Sequence, residues 1–330
     1  TPKATKRRPK DCSPAMNRNQ SEYSHQPVLV DEVVAYLVTV EDGAYVDLTA
    51  GLGGHLKELA KKLNKDARLY GIDKDESALK KAREKLADVE QKVELINDSY
   101  GNIEHVAEGF RDQKFDGALL DLGLSSLQLD DPERGFTFSG EGLLDMRFDQ
   151  SAQIPTAADL VNKLNDKGLY EIIRDFGEEK QARRIAAAIV RERQKGMILT
   201  SSQLAAIVKS NVNPPYQNKS LARVFQALRI AVNKELETLK TALPIIISML
   251  NKHGRIAVIT YHSLEDRIVK HTFRDLAKEC ICPQGLPQCI CNTTPQVKVI
   301  TRRPVFPSDV EIKSNPRSRS AQLRVAEKII

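Results

Sequence analysis

The sequence predicts a doubly wound α/β fold, a parallel sheet covered on both faces, interrupted by an inserted all-helical subdomain. Two observations carry this expectation. Between Ala44 and Leu122 short apolar runs alternate with amphipathic ones at the spacing of strand-helix-strand units. That alternation then stops, a block with helical periodicity and caps follows, and a strongly apolar strand resumes at Arg255.

Taken in order, residues 1–22 are expected to form a basic, disordered tail, since the first twenty residues hold six basic side chains against Asp11 alone. Ala44 to Leu48 reads as a strand, Leu56 to Leu63 as a helix, Arg68 to Ile72 as a strand, and Glu76 to Leu86 as a helix with its Lys and Glu in water. Val93 to Ile96 and Phe115 to Leu122 continue the series. Helices are expected at Ala157 to Leu164, Leu169 to Asp175, Lys180 to Gln194 and Ser202 to Ser210, before Asn213-Pro214-Pro215-Tyr216 breaks the block. One long helix from Leu221 to about Leu250 should follow despite Pro244, and then the strand Arg255 to Tyr261. Residues 23–128 and 217–330 thus form the sheet domain. Residues 129–216 form a helical insertion lying over the carboxyl edge as a substrate-recognition cap.

The 330 residues are 41% hydrophobic and 28% charged, an ordinary globular balance. No run approaches the roughly 18 apolar residues that span a bilayer, so no membrane association is expected. The tail lacks the apolar core of a secretory signal. Four of the five cysteines fall between Cys280 and Cys291, too localised for a disulfide scaffold, which favours a reducing, cytoplasmic compartment. Basic charge gathers at the ends, with eight basic residues and three acids from Lys298 to Lys328. A phosphate-bearing partner is favoured, although charged tails are usually solvated segments.

The sharpest local signal is Val46-Asp47-Leu48-Thr49-Ala50-Gly51-Leu52-Gly53-Gly54-His55, a strand end opening through glycines into a helix. Glycines let a ligand approach the backbone, and the helix start offers free N–H groups. Leu56 stands where a dinucleotide fingerprint needs glycine, which disfavours a nicotinamide oxidoreductase. Asp47, four residues before Gly51, resembles instead the first motif of class I methyltransferases that use S-adenosylmethionine. A merely structural turn is the alternative. Asp73 ends the next strand, where a carboxylate can accept both ribose hydroxyls of a nucleoside, while Asp75 is better placed to cap the following helix. Tyr100 follows the third strand, within reach of an adenine, and Asp121 ends the fourth, where methyl transfer would occur.

At this point the resemblance becomes specific. His25-Gln26-Pro27-Val28-Leu29, Gly51-Leu52-Gly53-Gly54-His55, Leu119-Leu120-Asp121-Leu122-Gly123, Ser125-Ser126-Leu127-Gln128-Leu129-Asp130 and Glu133-Arg134-Gly135-Phe136-Thr137-Phe138 resemble the RsmH (MraW) family of small-subunit rRNA cytosine-N4 methyltransferases. Leu144-Asp145-Met146-Arg147, Phe225-Gln226-Ala227-Leu228-Arg229-Ile230, His262-Ser263-Leu264-Glu265-Asp266-Arg267 and Asn315-Pro316-Arg317-Ser318-Arg319-Ser320 extend it, from about His25 to Lys328. The resemblance implies S-adenosylmethionine contacts at Gly53, Gly54, His55, Asp73, Tyr100, Asp121 and Gln128. It implies N4-methylation of a decoding-centre cytidine, with small-subunit rRNA or the assembled small ribosomal subunit as partner. A homodimer stays open. The family often has Phe at the position of Tyr100.

The residues fit that chemistry. An exocyclic amine attacks a sulfonium methyl in line, so alignment and desolvation suffice. Carbon-5 methylation would need a nucleophilic cysteine at a strand end, and none stands there. Amino methyltransferases acting on DNA usually show Asp/Ser-Pro-Pro-Tyr after the fourth strand; Asp121-Leu122-Gly123-Leu124 replaces it here, and Asn213-Pro214-Pro215-Tyr216 follows a helix and reads as a linker. Asp121 and His262 are the candidate catalytic residues. Ser263 is expected to cap the helix after the late strand, with Asp266 at its third position. Arg147 and Arg267 are candidate rRNA contacts, Arg147 alternatively an ion-pair partner of Asp145. Cys280, Cys282, Cys289 and Cys291 flank a proline-glycine turn and could hold Zn2+, with reduced loop cysteines or a disulfide hairpin as alternatives. A non-catalytic RNA-binding assembly factor on the same fold is the competing function.

Overall fold

The computed structural model describes residues 26–110, 113–124, 131–138, 141–282, 290–291 and 293–330. The expected tail lies outside them. Seven strands form one sheet: β1 Ala44–Asp47, β2 Arg68–Asp73, β3 Lys92–Asn97, β4 Phe115–Asp121, β5 Leu250–Thr260, β6 Val297–Val299 and β7 Gln322–Lys328. They lie in the order β3-β2-β1-β4-β5-β7-β6. The first five run parallel, and β7 is antiparallel to both neighbours. Because β1 is central and the order reverses beside it, the carboxyl ends of β1, β2 and β4 open on one crevice, where ligands bind in such sheets.

Alternation along each strand distributes side chains to two cores. Val46, Leu120 and Val258 join one layer with Leu243, Ile246 and Phe273. Tyr45, Leu119 and Ile259 join the other with Leu29, Leu37, Leu56 and Leu59. A strand buried on both faces has few polar positions to spare, which is why the acids Asp47, Asp73 and Asp121 appear only at strand ends.

The insertion builds a third core of its own from the helices Ala157–Lys163, Asp166–Asp175, Ala182–Arg193 and Ser201–Ser210. This core also draws on the chain beyond the boundary expected at 216. The helix Gln217–Asn233 sends Leu221, Val224, Phe225 and Leu228 into this same core. The single long helix is corrected too, because the chain breaks at Lys234, whose φ of 51° ends one helix and starts Glu235–Ser248. Asn233 shows what occupies the break: its side chain donates to Met146 O and accepts from Phe148 N, 2.8 and 2.7 Å away. Pro244 sits inside the second helix without ending it.

Candidate active site

The crevice starts at the glycine turn. Gly51 and Gly53 have φ of 49° and 73°, conformations that cost other residues steric strain. The Gly51 N–H donates to Asp73 Oδ2 at 2.8 Å, and Asp75 N donates to Oδ1 at 2.9 Å, so Asp73 holds the turn and begins the next loop at once. Asp75, as expected, caps the helix Glu76–Lys85. Thr49 ties β1 to β4: its hydroxyl donates to Asp47 Oδ1 at 3.1 Å and accepts from Asp121 N at 2.6 Å.

Three carboxylates therefore converge on neighbouring strand ends. Burial pushes Asp47 and Asp121 each up to about 7, against the donors that Thr49 and Tyr261 supply to them. Asp73 is raised as well, again by burial. Asp121 Oδ1 accepts the Tyr261 hydroxyl at 2.9 Å, and its Oδ2 lies 3.8 Å from His55 Nε2. His55 is buried in the first turn of its helix. The Tyr100 hydroxyl is raised by burial and by the nearby charges of Glu235 and Glu265, and its ring packs against the sheet core. Gln128 and Cys289 lie outside the described residues.

His262 reaches the crevice and also caps its helix, where Ser263 had been expected to do so. Its Nδ1 accepts from Glu265 N at 3.4 Å, and Nε2 lies 3.1 Å from Glu265 Oε1. Ser263 turns the other way and donates to Glu178 of the insertion at 2.7 Å. Asp266 is drawn off by a bidentate pair with Arg324 on β7. Glu265 would be pushed up by its burial, but His262, Arg229 and the Tyr261 N–H together hold it below the usual range. Arg229 makes a buried bidentate pair with Glu235, both contacts 2.9 Å. The sequence assigns no role to Tyr261, Glu265, Arg229 and Glu235, although Arg229 and Glu265 fall within two of the family-like motifs and Tyr261 directly follows the apolar strand ending at Thr260.

Between the two bodies lies a cavity of about 200 Å3. Leu124, Tyr261 and His262 line it from the sheet side, and Phe136, Phe138, Phe225, Gln226 and Arg229 from the insertion side. The expected rRNA contacts are placed elsewhere. Arg147 forms a bidentate pair with Asp145 and donates to Ala152 O at 2.9 Å, all within the insertion. Arg267 pairs with Glu178 at 3.0 Å, bridging the insertion to the sheet domain. A second bridge is Lys74, whose Nζ lies 3.4 Å from the Phe148 ring centroid and whose burial lowers it to about 8.

A parallel sheet with its seventh strand reversed, a glycine turn after β1 and an acid at the ends of β1, β2 and β4 together define a methyltransferase of the class I fold. The chain belongs to the MraW methylase family, whose sequence model matches residues 22–329. A ribosomal RNA small subunit methyltransferase H from Caldicellulosiruptor saccharolyticus is 46% identical, covering 93% of this chain and 100% of its own. The Clostridium botulinum (strain Kyoto) protein of that name is 44% identical over 93% and 100%. The one from Oleidesulfovibrio alaskensis is 45% identical over 95% and 98%.

Proposed function

We propose that the protein methylates the exocyclic N4 of a cytidine in small-subunit rRNA, at the decoding centre that the family resemblance indicates, using S-adenosylmethionine. The observation that carries this reading is the continuity of Asp121, through Tyr261, with the aromatic cavity that His262 and Phe136 line.

The chain's residues fit the cofactor. Its sulfonium supplies an electrophilic methyl group. Asp73 has acceptor capacity beyond its two backbone bonds and would take the ribose hydroxyls, since a carboxylate offers about four lone-pair sites. Asp47 and Asp121, buried and raised by that burial, suit a ligand that brings positive charge. The cofactor contacts expected at Gly53, Gly54, His55 and Tyr100 belong to the same proposal.

On the substrate side, Phe136, Phe138 and Phe225 offer faces and edges for a flipped base, and ring stacking is worth about 1–3 kcal/mol per base. Gln226 donates to Phe176 O at 3.1 Å, which orients its amide oxygen as an acceptor. Asp121 accepts the amine and takes the proton that the nitrogen sheds after methyl transfer, a task suited to a group titrating near 7. His262 shapes the cavity wall beside it. Small ribosomal subunits lacking the modification should gain one N4-methylated cytidine when treated with the purified protein, as read by nucleoside mass mapping. No turnover would favour the non-catalytic assembly factor, and a C5-methylcytidine, methyladenine or methylated DNA product would overturn the assignment.

A further inference from the structure

The loop after the helix Ser263–Leu276 lies at the opposite edge of the sheet from the crevice. The helix begins beside His262 at the carboxyl ends of the strands and is 14 residues long, so its far end is about 20 Å away at 1.5 Å per residue. There the chain folds back, and Gln296 N donates to Leu276 O at 2.8 Å. The fold-back brings together Cys280, Cys282 and Cys291, whose Sγ atoms all lie within 4.8 Å of one another.

We propose that these three sulfurs are ligands of a single tetrahedral zinc ion that fastens this loop. Three features of the geometry support it. The Cys280 and Cys291 sulfurs are 3.8 Å apart, far beyond a disulfide bond of about 2.05 Å. The spacing matches instead the edge of a tetrahedron whose centre-to-sulfur distance is about 2.3 Å, the length of a zinc-thiolate bond. Each sulfur also receives a backbone N–H. Cys282 N donates to Cys280, Ile281 N to Cys291 and Ile290 N to Cys282, all at 3.4 Å. Donors converging on sulfur stabilise thiolate charge, the role that surrounding hydrogen bonds play at metal sites. Finally, Ile281 and Ile290, beside the cysteines, are 64% and 74% exposed, so the burial of these two side chains does not hold the cysteines together.

Binding converts the thiols to thiolates and releases their protons. One tetrahedral corner remains for a further ligand. Distance from the crevice makes the ion structural, so it takes no part in methyl transfer.

The test uses the full chain purified without chelator. Elemental analysis should give about one zinc per chain, and exchange for Co2+ should produce an intense thiolate-to-cobalt charge-transfer band. The Cys280→Ser/Cys282→Ser variant should lose both signals. Its S-adenosylmethionine affinity, measured by calorimetry, should stay within twofold of the parent and show that the sheet domain is folded. A parent protein that holds no zinc and gives no such band with added Co2+ would overturn the proposal. So would a disulfide among these residues in freshly prepared protein, or a double variant that keeps its full zinc content.

Discussion

The Tyr261 hydroxyl reaches from the end of β5 to the carboxylate of Asp121 at the end of β4, donating to it at 2.9 Å. The Tyr261 N–H is in turn held by Glu265 Oε2 at 2.9 Å, so the phenol is fixed at its backbone as well as its tip. Tyr261→Phe removes a side-chain donor that lowers Asp121 while leaving the ring in place. Single-turnover methyl transfer should fall about tenfold or more, since a hydrogen bond to a charged group contributes about 1.5–3 kcal/mol and about 1.4 kcal/mol is tenfold in rate. The pH-rate profile should shift upward, because Asp121 loses a donor to its ionised form. An unshifted profile would show that Asp121 does not titrate in the reaction.

Asp73 supports two backbone amides as well as the proposed ribose contact. Asp73→Ala should weaken S-adenosylmethionine binding by about 1–3 kcal/mol, the range for a hydrogen bond to a charged group plus the amides left exposed. Asp73→Asn, which retains one acceptor oxygen, should lose less. Calorimetry that finds equal affinity for parent and Asp73→Ala, with both proteins folded, would remove Asp73 from the cofactor site.

Asp47 and Asp121 make the ligand-free protein sensitive to pH. Both carboxyls move from 3.8 in the free side chain to about 7 in the fold, so between about pH 4 and 7 the native state binds more protons than the unfolded one. Stability is then largest at the acid end of that window and falls as pH rises through 7, at most by about 1.4 kcal/mol per pH unit for each group. Thermal melts of Asp47→Asn and Asp121→Asn should show a flatter decline than the parent between pH 5 and 7.

Cofactor affinity should run the opposite way. A cationic ligand favours the ionised carboxylates, so the dissociation constant should drop from pH 6 to pH 8, and binding at pH 7 should release protons. Buffers of different ionisation enthalpy would reveal this in calorimetry. S-adenosylhomocysteine, which lacks the sulfonium charge, should show a shallower dependence.

Glu178 accepts from Ser263 and Arg267 and so joins the insertion to the sheet domain. Arg267 is 53% exposed at its side chain, and such a pair contributes no more than about 1 kcal/mol. Glu178→Ala should therefore barely change the melting temperature or cofactor affinity, yet raise the KM for small subunits as the cavity wall loosens. An unchanged KM would leave the bridge without a part in substrate binding.

Much of this was legible in residue order. Acids at the ends of apolar strands mark the crevice, and the order of helical and strand-like runs locates the insertion. What escaped had physical reasons. Lys234 adopts a positive φ without being glycine, so no local signal announces the break, which Asn233 stabilises through distant partners. The roles of Arg229, Glu235 and Glu265 were hidden because charged side chains are rarely buried unless paired, and their pairing is tertiary. β6 has three residues, too few for a periodic pattern to emerge.

Asp73 and Lys74 are adjacent in the chain but answer to different bodies, the acid to the glycine turn and the ammonium to Phe148 of the insertion. One short backbone segment therefore feels both how the turn is filled and how the insertion is seated. Such an arrangement obeys thermodynamic reciprocity: whatever factor RNA engagement adds to cofactor affinity, the cofactor must return to RNA affinity. If this segment carries that coupling, replacing Lys74 should bring the ratio of cofactor affinities with and without RNA towards one.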